Sequence, residues 1–160
     1  MTTELTLLLP ALRRFAYSLT GNMADADDLL QSTVVKLLDS PPAADVPLLQ
    51  WSFRVCRNLW IDDYRAKKVR QHTALDEAAE LSGEDGEQVA INEITLTEVN
   101  QAMNNLPGEQ REVLSLVAVQ GMSYSEAAGV LAIPQGTIMS RLARARVAMV
   151  DALKYSGVLA

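Results

Sequence analysis

The chain has 160 residues, 49% of them apolar, a formal charge of −6 and a single cysteine. That length suits one medium domain or two small ones, and that apolar content is enough to bury a core. One cysteine excludes an internal disulfide, the lack of a run of about eighteen apolar residues excludes a membrane-spanning helix, and a start without a charged-then-apolar leader makes the cytoplasm the expected compartment.

The negative charge is unevenly spread. Met1–Leu75 carries nine basic and eight acidic residues, Asp76–Asn100 eight acidic and no basic ones, and Gln101–Ala160 five basic and four acidic. The acidity therefore belongs to one connecting segment, which leaves the flanking parts able to present basic faces to nucleic acid.

Leu5–Leu19 is apolar apart from Arg13 and Arg14 and predicts a first helix that stops at Thr20-Gly21-Asn22. Asn22 suits the N-cap of a second helix reaching about Asp39, with Asp25, Asp27 and Asp28 in its first turns. The helix dipole favours anions there, and the same aspartates equally suit an exposed acidic surface for a basic partner. Both readings stand at this point.

Ser40-Pro41-Pro42 breaks that helix, and a loop of about eight residues closes at Pro47. A third helix starts at Leu48 and ends in Arg65, Lys67, Lys68 and Arg70. Cations at a helix C-terminus are favoured by the dipole, so a solvated basic end is the plain reading. Phe53, Arg54, Arg57, Asn58, Tyr64 and Arg65 on the same helix also suit single-stranded nucleic acid, where rings and guanidinium planes stack on bases and cations follow phosphates. Trp51 and Trp60 read first as core, and Cys56 as a buried thiol acting as a small hydrophobe.

His72 to Gly86 reads as a flexible acidic linker, and its lone histidine has no second ligand at metal-binding spacing. Val89–Leu106 predicts a fourth helix, and Pro107 opens a fifth that runs to Val119, with Gly121 as its stop. Ser123 and Glu126 stand at capping-box spacing for a sixth, which ends before Pro134. Pro134 suits the first turn of a seventh, where Ile138, Leu142, Ala145 and Met149 form an apolar stripe opposite Gly136, Ser140, Ala143 and Arg144. Two short helices joined by a tight turn, the second bearing Arg141, Arg144 and Arg146, predict a helix-turn-helix that enters a major groove; the plain alternative is a helical hairpin with a solvated basic face.

The expected fold is all-α, in two small helical domains over 1–71 and 89–156 joined by an acidic linker over 72–88. Whether the two domains pack together is not fixed by the sequence. No phosphate-cradling glycine loop, metal cluster or nucleophile–base pair appears, so neither an enzyme nor a cofactor nor a metal is expected.

In this order, the two units resemble the extracytoplasmic-function (ECF) class of bacterial RNA polymerase sigma factors. Asp25 to Gln31 is similar to that family's core-binding helix, Trp51 to Asp62 to its −10-reading helix, and Leu106 to Leu114, Gly121 to Ala128 and Ile133 to Arg146 to its −35-reading domain. The resemblance implies a promoter-specificity subunit. By it, Asp27, Asp28 and Gln31 dock on the clamp helices of the polymerase largest subunit, and the second domain meets the polymerase flap. The loop from Asp39 to Leu48 holds an unstacked −10 base, a capture that costs a few kcal/mol of unstacking. Arg54, Asn58 and Asp62 line the adjacent strand, with Arg65, Lys67 and Lys68 also on the −10 side. Ser140, Ala143 and Arg144 face −35 base edges, with Thr137 and Arg141 nearer the backbone. An anti-sigma factor is implied as a further partner, and insertion into a membrane is not.

The sequence departs from the family pattern at Met139, where Lys or Arg is common, at Ala143, where a larger residue is frequent, and in a loop from Ser40 to Pro47 short of polar groups. Two alternatives follow: a sigma-like decoy that sequesters an anti-sigma factor, and a self-standing helix-turn-helix repressor.

Overall fold

A computed structural model describes residues 2–73 and 91–156, and there every regular element is a helix. These are α1 (Thr2–Thr20), α2 (Met23–Asp39), α3 (Leu48–Thr73), α4 (Ile91–Asn104), α5 (Gly108–Leu114) continued by a π-helical turn (Ser115–Val119), α6 (Tyr124–Leu131) and α7 (Gln135–Ser156). The expected linker over 72–88 lies outside the described residues except for 72 and 73, which continue α3.

Local chemistry sets most boundaries. Gly21 ends α1 at φ +83°, with its N–H donating to the Tyr17 oxygen at 2.8 Å. Asn22 Oδ1 then accepts the Asp25 N–H at 2.8 Å and starts α2. The capping box of α6 is complete: Glu126 N–H donates to Ser123 Oγ at 3.0 Å, and Ser123 N–H to Glu126 Oε1 at 2.9 Å.

Two features depart from the expected helices. The fifth helix, expected to run regularly to Val119, widens after Leu114, where the Gln120 N–H reaches back five residues to the Ser115 oxygen at 3.0 Å. At the far end of α6 the left-handed cap is Ala132, at φ 56°, not a glycine. An L residue accepts that conformation at a cost of roughly 1–2 kcal/mol. Here it turns the chain sharply enough for the Pro134 oxygen to accept the N–H groups of Thr137 and Ile138 at 3.0 and 3.2 Å as α7 begins.

Helices α1, α2 and α3 pack on one another, while α7 packs on α4, α5 and α6, and α6 packs on the π-helical turn that continues α5. Phe15 and Phe53 meet edge to face at 5.0 Å inside the first unit, and Val113, Leu116, Ile138 and Leu142 are fully enclosed in the second. The two interiors join into one cluster, because α1 packs on α4 and the π-helical turn while α3 packs on α5 and α6. The two-part organisation is thus a division of the chain but not of its interior.

Candidate nucleic-acid interface

The orientation of α7 follows from its buried stripe. Ile138, Leu142 and Ala145 are enclosed, which turns Gly136, Ser140, Ala143 and Arg144 to solvent. Ser140 Oγ donates to the Thr137 oxygen at 3.4 Å, so the hydroxyl lies against its own helix. Thr137 and Arg141 are half-buried at the edge of this face, and Arg141 Nη2 lies 3.6 Å from Glu109 Oε2 on α5. An exposed guanidinium beside a hydroxyl and a methyl can read a guanine edge bidentately and tolerate a thymine methyl. Met139 and Val147 are also exposed on α7.

On α2 the burial of Ala26, Thr33 and Leu37 turns Asp28 and Gln31 outward. Asp27 is half-buried and paired with Arg13, whose Nη2 lies 3.2 Å from its Oδ1. A cavity of about 480 Å³ opens beside this acidic surface, lined by Asp28, Leu29, Leu59, Trp60, Asp63 and Arg111 among others. In the loop after α2, Ala43, Ala44 and Asp45 are exposed.

Helix α3 divides its predicted site residues. Asn58, Asp62, Arg65, Lys67 and Lys68 are exposed. Lys67 lies 3.2 Å from Asp63, and the Lys68 ammonium stands 5.8 Å from the centre of the Tyr64 ring. Arg54, expected in line with Asn58 and Asp62, is half-buried and turned to the second unit. Its Nε donates to the Val130 oxygen at 3.2 Å and its Nη2 to the Gly129 oxygen. Gln50 Nε2 donates to the same Gly129 oxygen at 3.2 Å.

Further polar contacts among the described residues also join the units, and none is visible as a sequence pattern. Arg57 holds Glu112 through Nε–Oε1 at 2.6 Å and Nη2–Oε2 at 3.1 Å, and its Nη1 donates to Asn58 Oδ1 at 3.2 Å. Arg111 donates from Nε to the Ser18 oxygen at 2.9 Å and from Nη2 to Asn104 Oδ1 at 2.6 Å. Burial pulls the Arg111 pKa down to about 10, with Tyr64 acting in the opposite sense, so the guanidinium stays charged at neutral pH. Asn100 Nδ2 donates to the Gly21 oxygen at 3.0 Å. Trp60, 6% exposed, lies 5.3 Å from Tyr64 ring to ring, and a Cβ on Gly108 of α5 would come within 3.3–3.4 Å of this pair. The backbone of the second unit therefore lies directly on those rings.

Among the described residues no group of acidic, histidine or cysteine side chains is placed to hold a metal, and no helix is long and apolar enough to cross a membrane.

Residues 5–70 match the family model described as Sigma-70 region 2, and residues 96–149 match Sigma-70, region 4. The ECF RNA polymerase sigma factor EcfG of Rhodopseudomonas palustris (strain TIE-1) is 37% identical over 156 residues, spanning 95% of this chain and 83% of that one. The RNA polymerase sigma factor CnrH of Cupriavidus metallidurans is 36% identical over 149 residues, 85% of this chain and 77% of its own. In three dimensions the chain resembles the sigma factor RpoE of Bartonella quintana, solved in complex with the anti-sigma factor NepR, with a TM-score of 0.77, 32% identity and 96% of both chains covered.

Proposed function

The chain belongs to the ECF subfamily of RNA polymerase sigma factors, which direct promoter-specific transcription initiation, and from that premise we propose how its surfaces divide the work. The domain over 1–71 docks on the polymerase clamp helices through Asp27, Asp28 and Gln31. It holds the −10 element through Arg54, Asn58, Asp62, Arg65, Lys67 and Lys68. The domain over 89–156 lies on the flap and reads the −35 element through Ser140, Ala143 and Arg144, with Thr137 and Arg141 on the backbone. The segment over 72–88 spans the two.

In this reading the chain supplies position and specificity, the polymerase performs the chemistry, and both work in the cytoplasm. RpoE of Bartonella quintana is held by an anti-sigma factor, and the same class of partner is proposed for this chain. The observation that supports the reading is α7: its enclosed stripe of Ile138, Leu142 and Ala145 leaves Ser140, Ala143 and Arg144 exposed together on the outer face of a helix, the kind of element that enters a major groove.

Run-off transcription with core polymerase across a promoter library tests it, with initiation at a defined −35/−10 pair as the expected result. A chain that forms no holoenzyme refutes it. Tight binding of an anti-sigma factor without initiation anywhere would make the chain a decoy, and sequence-specific duplex binding as a dimer without polymerase would make it a repressor.

A further inference from the structure

Helix α7 is apolar on two sides. One row, Ile138, Leu142 and Ala145, is enclosed, and a second, Met139, Ala143, Val147 and Val150 at i, i+4, i+8 and i+11, lies in solvent. A helix with one core to face needs only the first row. The second begins inside the surface given to the −35 element, because Met139 directly precedes Ser140 and stands one turn before Ala143. Its far end lies elsewhere. Val147 is eight residues on, about 12 Å along the axis, whereas a recognition helix reaches base edges with its N-terminal turns.

Around Met139 the surface is low. Gly136, three residues before it, has nothing within 4 Å of where a Cβ would stand, Ala143 offers only a methyl, and the Ser140 hydroxyl is turned back onto the Thr137 oxygen. Met139, 51% exposed, is thus the long side chain of this flank. Arg144 stands about 140° away around the helix, so the two border one face from opposite sides. A thioether carries no charge and cannot hold the phosphate that Lys or Arg would hold at this position. What it offers a major groove is a flexible, polarisable apolar tip, and the apolar group on a base edge there is the C5-methyl of thymine.

We infer that Met139 is a specificity-determining residue that packs on a thymine C5-methyl in the −35 element, reading a base where Lys or Arg would hold a phosphate. This role rests on the sigma reading above. It makes thymine at one −35 position preferred over cytosine, whose edge carries no methyl. It also leaves promoter affinity less dependent on salt than a lysine there would, since no counterion is released by a thioether.

The test uses the full chain in holoenzyme with core polymerase, on the −35 sequence that a promoter library selects. Each thymine of that sequence, on both strands, is replaced in turn by deoxyuridine, which removes the C5-methyl and leaves every hydrogen-bonding group in place. At one thymine the parent should lose about fourfold in promoter affinity, the worth of one buried methyl-sized group. Met139→Ala should bind the thymine promoter about as weakly as the parent binds the deoxyuridine one, and lose nothing further at that position. Met139→Leu, apolar and of similar volume, should keep the full response. Met139→Lys should show no response, while its affinity falls more steeply with salt. Val147→Ala, on the same row beyond the groove, should behave as the parent.

A selected −35 sequence with no thymine on either strand, no deoxyuridine effect in the parent, or the same effect in Met139→Ala would each overturn the inference. So would a lost response in Val147→Ala. Should Met139→Ala lose helical content by circular dichroism, Met139→Lys supplies the same comparison. Run-off transcription by the parent chain separates these results from the underlying reading. Failure to initiate removes the sigma assignment and the inference with it, whereas initiation with a flat deoxyuridine response removes the inference alone.

Discussion

Arg57 and Glu112, 55 positions apart, meet fork to fork at 2.6 and 3.1 Å, with Glu112 1% exposed and Arg57 21%. The pair is unequal, because removing the arginine strands a carboxylate that has no route to water unless the units part. Arg57→Ala should lower stability by about 3 kcal/mol, the lower end for a broken buried pair, since parting gives the charge an escape. Adding Glu112→Gln to it should restore part of that loss. Urea unfolding of both single variants and the double variant measures the coupling, and a simply additive result would count against the pair.

Asp28 is exposed on α2, whereas Asp27 is engaged with Arg13. Asp28→Arg should therefore abolish capture by core polymerase while the melting temperature stays within a few degrees of the parent, as surface substitutions usually change stability by about 0.5 kcal/mol or less. Co-purification with polymerase reads the first effect and a thermal melt the second. Undiminished capture would remove Asp28 from the docking surface.

Arg144 stands exposed on the outer face of α7. If it reads a guanine bidentately, Arg144→Ala costs the holoenzyme about 1–3 kcal/mol at the preferred −35 sequence and much less at variants lacking that guanine. Equal losses across all −35 sequences, with a flatter dependence on salt, would mark it as a phosphate ligand. Abortive-initiation titrations on a −35 promoter panel distinguish the two.

Cys56 is enclosed, and burial pushes its thiol up to about 12 from an ordinary value near 9, partly offset by a hydrogen bond with Thr33. The unfolded chain ionises this thiol first, so the contribution is fully present below pH 9 and is lost as pH rises toward 12. The difference in unfolding free energy between the parent and Cys56→Ala should be flat below the lower value and fall above it, by up to about 1.4 kcal/mol per pH unit. Taking the difference cancels other titrating groups, Arg111 among them. At neutral pH the folded chain should resist alkylation by iodoacetamide.

What was legible in the sequence was local. Asn22, the Ser123–Glu126 box and the Pro41-Pro42 pair mark helix ends through neighbours one to three residues away, and the structure places helix boundaries beside each. The stripe through Ile138, Leu142 and Ala145 likewise orients α7 from spacing alone. Trp60 reads as core and is buried, but part of its cover comes from the Gly108 backbone across the unit boundary. The rest depends on distance in the chain. Helical periodicity set Arg54 beside Asn58 and Asp62 but could not show that Gly129 and Val130, some 75 positions on, take its guanidinium. Glu112 looked like one residue of a family-like block, and only the fold reveals its partner. The π-helical turn had no local signature either, since no proline or glycine interrupts Ser115–Val119.

The acceptors of Arg54 are main-chain oxygens. Substitution at 129 or 130 can reshape the approach to them but cannot delete them, because every amino acid brings the same carbonyl. Descendants of this chain that keep Arg54 could therefore alter many side chains around this contact and still offer it the same acceptors, with position 129 held small by the Gln50 amide 3.2 Å from where a Cβ would stand. The residue to watch in related genomes is accordingly the one with no side chain at all.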